Sequence, residues 1–291
     1  MNFLTGTDDS NPRIVLYGPV GIGKSTFASQ FPGSVAADVE SGMRSIGTPR
    51  VELHDKGWVT CLSTIQEMIL DPGQHQTIIV DTADRLEEKA TAAVLNDHRK
   101  KSLIEFKYGD GFEAVAQKWR ELIFVLDKGR EKGRTVIVLA HVASKRVNDP
   151  TLGEYEQFTP AIGRRLWSQT EQWADHVFFA RRETILTKDG IAVVSDQRQL
   201  CTEAATGYVA KNRWNLPPVL KLEYSELALY REKGTRAAVE IERSILELVK
   251  ASEIEAKVIA AIATTAGDRR RLLTIEKAAE KKILEMKGQS T

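Results

Sequence analysis

The stretch Gly18-Pro-Val-Gly-Ile-Gly-Lys-Ser25 fits the pattern G-x-x-x-x-G-K-[ST] of a phosphate-binding loop. That pattern requires a strand before the loop and a helix after it. Arg13-Ile-Val-Leu-Tyr17 is rich in β-forming residues, and Ser25-Thr-Phe-Ala-Ser-Gln30 reads as the first turns of a helix. Both flanks fit, which disfavours a chance glycine-rich turn. The stretch therefore predicts a nucleotide-binding α/β fold.

The chemistry of this loop follows from its residue types. Its glycines let successive backbone N–H groups turn inward and hold phosphate oxygens at a helix N-terminus. Lys24 is expected to reach the β- and γ-phosphates, and the Ser25 hydroxyl is expected to ligate Mg²⁺. ATP and Mg²⁺ are thus the predicted cofactors. The predicted nucleotide-binding residues are Gly18, Pro19, Val20, Gly21, Ile22, Gly23, Lys24, Ser25 and Thr26.

Composition bounds the class of protein. The chain has 291 residues, 42% of them hydrophobic, and a net charge of +1. This balance carries no global signal for nucleic acid or membrane, so any basic site must be local. No apolar run reaches membrane-spanning length, and the N-terminus lacks the features of a signal peptide. Cys61 and Cys201 lie in apolar, strand-like runs and are expected to be buried thiols. We predict a cytoplasmic protein with no membrane partner.

Strand and helix signals alternate along the chain, which predicts a mostly parallel central sheet flanked by helices. Ser63 and Gln66 have the spacing of a capping box, so a helix is expected to begin at Ser63. Strands are predicted at 35–38, 59–62, 77–81, 135–140 and 176–180, an amphipathic helix at 112–126, and antiparallel hairpins between 184 and 210.

The character of the chain changes after Pro217-Pro218. From about residue 225 it is rich in Ala, Glu, Lys and Leu and has no proline. We predict a core domain at 1–223 and a helical C-terminal appendage at 224–291. Helices are expected within the appendage at 237–250 and 269–287.

Asp81 is the second predicted site residue. It ends the apolar run Thr77-Ile-Ile-Val-Asp81, and the carboxyl ends of parallel strands form the ligand-binding edge of such sheets. A carboxylate there can hold Mg²⁺, through water, beside the phosphate loop. The alternative is a strand-ending aspartate that caps the following helix. Thr82 and Asp84 are weaker neighbouring candidates.

Two local groups of basic residues, expected on neighbouring strand-end loops, are candidates for contact with DNA. The segment from Val142 to Gly163 is predicted to be a long loop, and it carries Lys145 and Arg146 together with aromatic residues. Cations that pair with phosphates, interleaved with rings that stack on bases, suit single-stranded nucleic acid. For both groups the alternative is a solvated run of charges. The second group precedes the amphipathic helix and consists of Arg99, Lys100, Lys101 and Lys107.

Taken as an ordered set, these motifs resemble the compact RecA-core P-loop ATPases of bacteriophages, some of which act as single-strand annealing proteins or recombinases. The resemblance covers residues 12–222. Because the first strand begins near residue 13, the N-terminal polymerisation domain of longer recombinases is not expected. The motifs are Gly18–Ser25, Asp38-Val-Glu40, Thr77–Asp81, Val138-Leu-Ala-His141 and Ala210-Lys-Asn-Arg213.

The resemblance implies further site residues. It implies that Glu40 orients the attacking water, in the absence of a glutamate directly after Asp81, where many other ATPases carry one. It implies that His141 senses the γ-phosphate, although RecA has glutamine there. It also implies that Lys211 and Arg213, on a late strand, reach the ATP of a neighbouring subunit. The alternatives are that Glu40 is an ordinary loop carboxylate, that His141 is a structural histidine, and that Lys211 and Arg213 lie on a solvated strand end.

The function implied is an ATPase that binds single-stranded DNA and promotes strand annealing or pairing in phage recombination. Its expected partners are single-stranded DNA, further copies of the chain in a ring or filament with ATP at the subunit interfaces, and a single-strand DNA-binding protein. The alternatives are a ring helicase or DNA-translocating motor, and a P-loop regulatory switch without DNA. A small-molecule kinase is disfavoured because the sequence offers no arginine-rich lid segment for a second substrate.

Overall fold

A computed structural model describes residues 11–71, 73, 75–186, 189–234, 245–246 and 269–288. The chain divides into two units, one up to Asn212 and one from Arg213 onward. Among the described residues, no helix combines the length and the apolar character needed to cross a bilayer.

A mostly parallel sheet forms the centre of the first unit, as predicted. Its strand order is β3-β2-β4-β5-β1-β7-β8, with β6 paired to β5 outside this path. The pairs among β1 to β5, and between β1 and β7, are parallel. The strands are β1 Arg13–Gly18, β2 Ser34–Asp38, β3 Arg50–Glu52, β4 Thr77–Asp81, β5 Thr135–Asp149, β6 Gly153–Pro160, β7 His176–Leu186 and β8 Ala192–Cys201.

The segment predicted as a long loop after residue 142 is a β-hairpin instead. Strand β5 continues past the parallel sheet to Asp149, and β6 returns antiparallel to it from Gly153 to Pro160. The prediction was wrong because residues 142–149 show no regular alternation of polar and apolar residues, and only their pairing with β6 makes them a strand. We call this hairpin the first arm. Strands β7 and β8 form a second antiparallel arm about Gly190, where the sequence predicted one.

Helices cover both faces of the sheet. They are α1 Lys24–Ser29, α2 Trp58–Leu70, α3 Ala83–Asp97, α4 Asp110–Glu131 and α5 Arg164–Trp173. Helix α4 contains the predicted amphipathic segment, and its apolar face packs into the core through Val115, Trp119 and Leu122. The Trp119 indole donates to Thr170 Oγ1 at 2.9 Å, which ties α4 to α5.

The strand predicted at 59–62 and the helix start predicted at Ser63 were wrong. Both fall inside α2, and the hydroxyl of Ser63 bonds to the Thr60 carbonyl one turn earlier. A helix forms there because the buried residues recur every three or four positions. They are Trp58, Cys61, Ile65 and Ile69. Cys61 is therefore helical, although both cysteines are buried and free, as predicted.

The second unit is described in part. It contains β9 Val219–Lys221, α6 Tyr224–Gly234 and α7 Arg269–Gly288. Lys277 of α7 forms an ion pair with Glu226 of α6 and lies 5.1 Å from the centroid of the Tyr230 ring. The helix predicted at 237–250 lies outside the described residues except at 245–246. The domain boundary at residue 224 stays a prediction.

Candidate functional site

The predicted phosphate loop joins β1 to α1 at the carboxyl edge of the sheet. Gly21 and Gly23 have φ angles of 74° and 106°, in the left-handed region that glycine adopts without strain. Gly18 allows a close approach of strands, because a Cβ atom there would lie 2.4 Å from the Ala180 carbonyl oxygen. The glycines thus allow the tight turns of the loop at the start of α1, where backbone N–H groups can hold an anion.

The amine of Lys24 is buried within this loop. Its Nζ donates to the carbonyls of Gly18 and Pro19 at 3.0 and 3.1 Å. Burial lowers the pKa of Lys24, and the carboxylates of Asp81 and Glu40 oppose that shift. The loop's own carbonyl oxygens thus hold the amine close to where the loop would hold phosphate.

Ser25 and Asp81 form a pair of oxygen ligands beside the loop. The Ser25 hydroxyl donates to Asp81 Oδ2 at 2.8 Å, and Asp81 is only 2% exposed. Burial raises the pKa of Asp81 to about 6, although the hydrogen bond from Ser25 acts in the opposite direction. A hydroxyl and a carboxylate at this spacing fit Mg²⁺, which takes one or two protein oxygens and completes its shell with water and phosphate.

Glu40 follows β2 and is held next to Asp81 through the backbone. The N–H groups of Val39 and Glu40 donate to the Asp81 carbonyl at 2.6 and 3.1 Å. Behind Glu40, the buried carboxylate of Asp38 accepts the N–H groups of Gly42 and Met43 and closes the turn. Two strand-end aspartates therefore fix the position of Glu40, one through its carbonyl and one through its side chain.

His141 lies next to Glu40 and is oriented by Asp84. Its Nε2 is 3.5 Å from Glu40 Oε1, and its Nδ1 is 2.8 Å from Asp84 Oδ2. Burial tends to raise the pKa of Asp84, but the hydrogen bonds from His141 outweigh it and hold that pKa below its usual range. An ionised carboxylate only accepts, so Nδ1 carries a hydrogen. Nε2 then donates only when the ring is protonated.

The phosphate loop, Asp81, Glu40 and His141 line one cavity of about 410 Å³ at the strand ends. Sequence reasoning gave Asp84 only a minor role as a neighbour of Asp81. The signal for a larger role was its place in the first turn of the helix that follows the strand-end aspartate. It missed Arg198 of β8 altogether, which lines the same cavity. Only the fold of the second arm brings that guanidinium to the loop. The predicted site residues that line the cavity are Val20, Gly21, Gly23, Lys24, Ser25, Thr26, Glu40, Asp81 and His141.

Lys211 and Arg213 are not on a strand, contrary to expectation. Lys211 forms a single β-bridge with Val177 in the middle of the sheet. Its amine donates to the carbonyls of Glu171 and Ala174 at the C-terminal end of α5. Lys211 thus caps a helix of its own subunit. Arg213 begins the second unit, and its role in a neighbouring subunit's site stays a prediction.

The first arm does not present its two cations together. In the β5–β6 register Lys145 lies opposite Gln157 and Arg146 opposite Glu156, and consecutive strand residues project to opposite faces. Tyr155 shares the face of Lys145. The arm also carries acidic residues, so it is not a basic patch as a whole; they are Asp149, Glu154 and Glu156.

The second basic group lies away from these strand ends. Arg99, Lys100 and Lys101 are exposed and follow the C-terminal end of α3. Helix α3 begins two residues after Asp81 and spans 15 residues, or about 22 Å at 1.5 Å per residue. Lys107 is also exposed and begins a 3₁₀ turn before α4. The two basic groups were expected on neighbouring loops, and the fold separates them.

The fold and this cavity define a P-loop ATPase, and sequence comparison gives the family. The model of a family described as AAA domain matches residues 10–214, and the chain belongs to that family. Among solved structures, a KaiC-like protein from the hyperthermophilic archaeon Pyrococcus horikoshii OT3 is similar. The identity is 13%, the alignment covers 67% of this chain and 79% of that one, and the TM-score is 0.38. No curated protein sequence matches the chain.

Proposed function

We propose that this chain hydrolyses ATP in a Mg²⁺-dependent reaction with Glu40 as the general base. The observation that carries this proposal is one cavity lined by the phosphate loop, Lys24, Asp81 and Glu40. The loop and Lys24 would hold the phosphates, while Ser25 and Asp81 would hold Mg²⁺. When bound, Mg²⁺ neutralises charge on the β- and γ-phosphate oxygens.

The chain's own groups would act in sequence. Lys24 exchanges its bonds to loop carbonyls for bonds to phosphate oxygens. Glu40 accepts a proton from water as that water attacks the γ-phosphorus and the bond to the leaving ADP oxygen breaks. His141, 3.5 Å from Glu40 and held by Asp84, would fix the carboxylate and contact the γ-phosphate when its ring is protonated.

Two variants test this proposal together. Glu40→Gln keeps the shape and removes the base, so it should bind ATP normally and hydrolyse it at least about 100-fold more slowly, the scale of general-base catalysis. Lys24→Ala should lose both binding and turnover, because the cation in the loop is gone. Equal turnover in Glu40→Gln and wild type would place the base elsewhere. Near-normal turnover in Lys24→Ala would remove the nucleotide assignment.

We further propose that the ATPase binds single-stranded DNA and promotes annealing or pairing of strands in recombination, as the resemblance to phage ATPases implies. Support from this chain is the first arm, which extends beyond the strand ends beside the nucleotide cavity and places Lys145 and Tyr155 on the same face. A cation beside a ring is the combination that suits phosphate and base of a single strand.

The DNA proposal is tested by ATP turnover with and without single-stranded DNA. Stimulation is expected, and unchanged turnover and no DNA binding would favour a regulatory switch. A strand-displacement assay then separates annealing from a helicase or translocating motor. Particle images with DNA and a slowly hydrolysed ATP analogue would distinguish ring, filament and monomer. A single-strand DNA-binding protein, the further partner proposed, is added to the annealing assay.

A further inference from the structure

A second cavity adjoins the phosphate loop on its other side. It has a volume of about 560 Å³, within the range of about 300–1,000 Å³ typical of small-molecule sites. Val20 and Gly21 line both this cavity and the phosphate cavity, so the two meet at the loop. Its walls come from the two arms, with Phe158 on the first and Val194 on the second.

Aromatic rings form one wall of this cavity. Phe179 is buried and stacks on Phe158, with ring centroids 5.6 Å apart and planes 26° from parallel. Tyr208 lies 5.2 Å from Phe179, and Tyr17 supports Phe179 from behind at 4.9 Å. Phe158 is 44% exposed, which is high for a ring in an aromatic cluster. Held rings with an open face are a stacking platform for a flat ligand.

Arg181 supplies a polar group in the same wall. Its guanidinium lies 5.4 Å from the centre of the Tyr208 ring, which holds the side chain in place. Arg181 lines the cavity. Its guanidinium can therefore donate hydrogen bonds to ring nitrogens or hydroxyl oxygens of a ligand.

The sheet fixes the direction in which a nucleotide would run. Asp81 and Glu40 lie on the β2 and β4 side of the loop, where the terminal phosphate and its water are required. The second cavity lies on the β7 and β8 side. A nucleotide whose terminal phosphate faces Glu40 must therefore extend its base across Val20 and Gly21 toward the aromatic wall.

We infer that this cavity is the base subsite of the nucleotide site and takes a purine, stacked on the open face of Phe158 with Arg181 as a polar contact. This inference rests on the proposed ATPase function. It assigns a binding site to the base, the part of ATP that the phosphate loop does not contact. A purine is favoured over a pyrimidine because its larger ring system covers more of the aromatic wall.

The test compares two ligands that share the phosphates and differ in the base. Equilibrium binding of ATP and of inorganic tripolyphosphate, each with Mg²⁺, is measured in wild type and in two variants. Phe158→Ala removes the open ring, and Val194→Trp fills the cavity from an exposed position, 63% accessible, where folding is not at stake. Phe124→Ala is the matched control, an exposed phenylalanine on α4 outside both cavities.

Phe158→Ala is expected to weaken ATP binding about 5- to 150-fold, the range for losing one base–aromatic stack. Val194→Trp should also weaken ATP binding, while tripolyphosphate binding stays unchanged in both variants and the control resembles wild type. CTP should bind wild type more weakly than ATP and GTP. Photolabelling with 8-azido-ATP should mark peptides of β6, β7 or β8.

Two results would overturn the inference while leaving the phosphate site standing. One is ATP that binds wild type no better than tripolyphosphate. The other is a loss of ATP affinity in Phe158→Ala or Val194→Trp that tripolyphosphate shares equally. If wild type binds neither ligand, the proposed ATPase function fails and the base subsite fails with it.

Discussion

The carboxylate of Asp84 holds His141 at two points: Oδ2 lies 2.8 Å from the imidazole Nδ1, and Oδ1 accepts the His141 backbone N–H at 3.0 Å. Asp84 follows the end of β4, and His141 lies within the adjacent strand β5, at the last position where β5 pairs with β1. The double contact fixes the position of the backbone and the tilt of the ring together. The imidazole Nε2 is thereby directed toward Glu40, so a residue outside the phosphate loop orients the group beside the proposed base.

Asp84→Asn is expected to leave ATP affinity close to that of wild type and to lower turnover about 10- to 100-fold, as for other carboxylates that orient a functional histidine. The amide replaces an acceptor with a donor opposite Nδ1, which turns the ring away from Glu40. Single-turnover hydrolysis measures the effect. In a His141→Gln background the same substitution should cost little further, because the two residues act as a unit. Additive losses would contradict this coupling.

The pH dependence of Mg²⁺ binding should report Asp81. Its pKa is about 6, so the carboxylate is ionised above that pH and protonated below it. Proton and Mg²⁺ compete for the same oxygen. Apparent Mg²⁺ affinity in the presence of ATP should therefore be flat above about pH 6 and fall up to about tenfold per pH unit below it.

Ser25→Ala tests the origin of this pH dependence, and because the hydroxyl is itself a proposed Mg²⁺ ligand, it should also lower Mg²⁺ affinity at every pH. It removes the hydrogen bond that lowers the pKa of Asp81, so the break in the profile should move to higher pH. In Asp81→Asn the break should disappear. A break at the same pH in Asp81→Asn would assign the titration to another group.

Arg198 is expected to act within its own chain, because it lines the same cavity as Lys24 and Asp81. Arg198→Ala should lower turnover by about 10³-fold, the lower end for an arginine that stabilises a transferring phosphoryl group. Mixing this variant with Lys24→Ala should restore no activity. If Arg198 acts in its own chain, every site in the mixture lacks either Arg198 or Lys24. Recovery on mixing would show that Arg198 serves a neighbouring site.

For Arg213→Ala we expect the opposite result in the same mixing assay, namely a partial recovery of activity. If Arg213 reaches the ATP of a neighbouring subunit, the variant should lose turnover by about 10³-fold and still bind ATP. Mixed with Lys24→Ala, some interfaces would combine an intact phosphate loop with an intact arginine, and partial activity should return. No recovery despite demonstrated co-assembly would exclude this role.

The two faces of the first arm should respond differently to mutation. Lys145→Ala should weaken single-stranded DNA binding and flatten the slope of log affinity against log salt by about 0.7, the value for one phosphate contact. Arg146→Ala should change neither, because Arg146 lies opposite Glu156 on the other face. DNA-free ATPase should be unaffected in both. Equal effects of both variants would contradict a one-faced contact.

Much of this site could be predicted because its signals are local. The phosphate loop could be predicted because its whole motif lies in eight consecutive residues, Gly18 to Ser25, at the start of a helix. Asp81 could be found because a buried strand that ends in a carboxylate points to the carboxyl edge of a parallel sheet. Family membership over residues 10–214 confirms the P-loop ATPase class.

Other features depended on which strands become neighbours. The sequence by itself determined the phosphate loop, the strand-end carboxylate and the α/β class, because each is written in residues close together along the chain. Only the tertiary structure decided that Asp84 holds His141, that Arg198 reaches the phosphate cavity, and that the arms enclose a second cavity. Those groups are 57 to 174 positions apart from their counterparts, counting Asp84 to His141 and Lys24 to Arg198. Strand order and register bring such residues together, and neither is encoded in any single stretch.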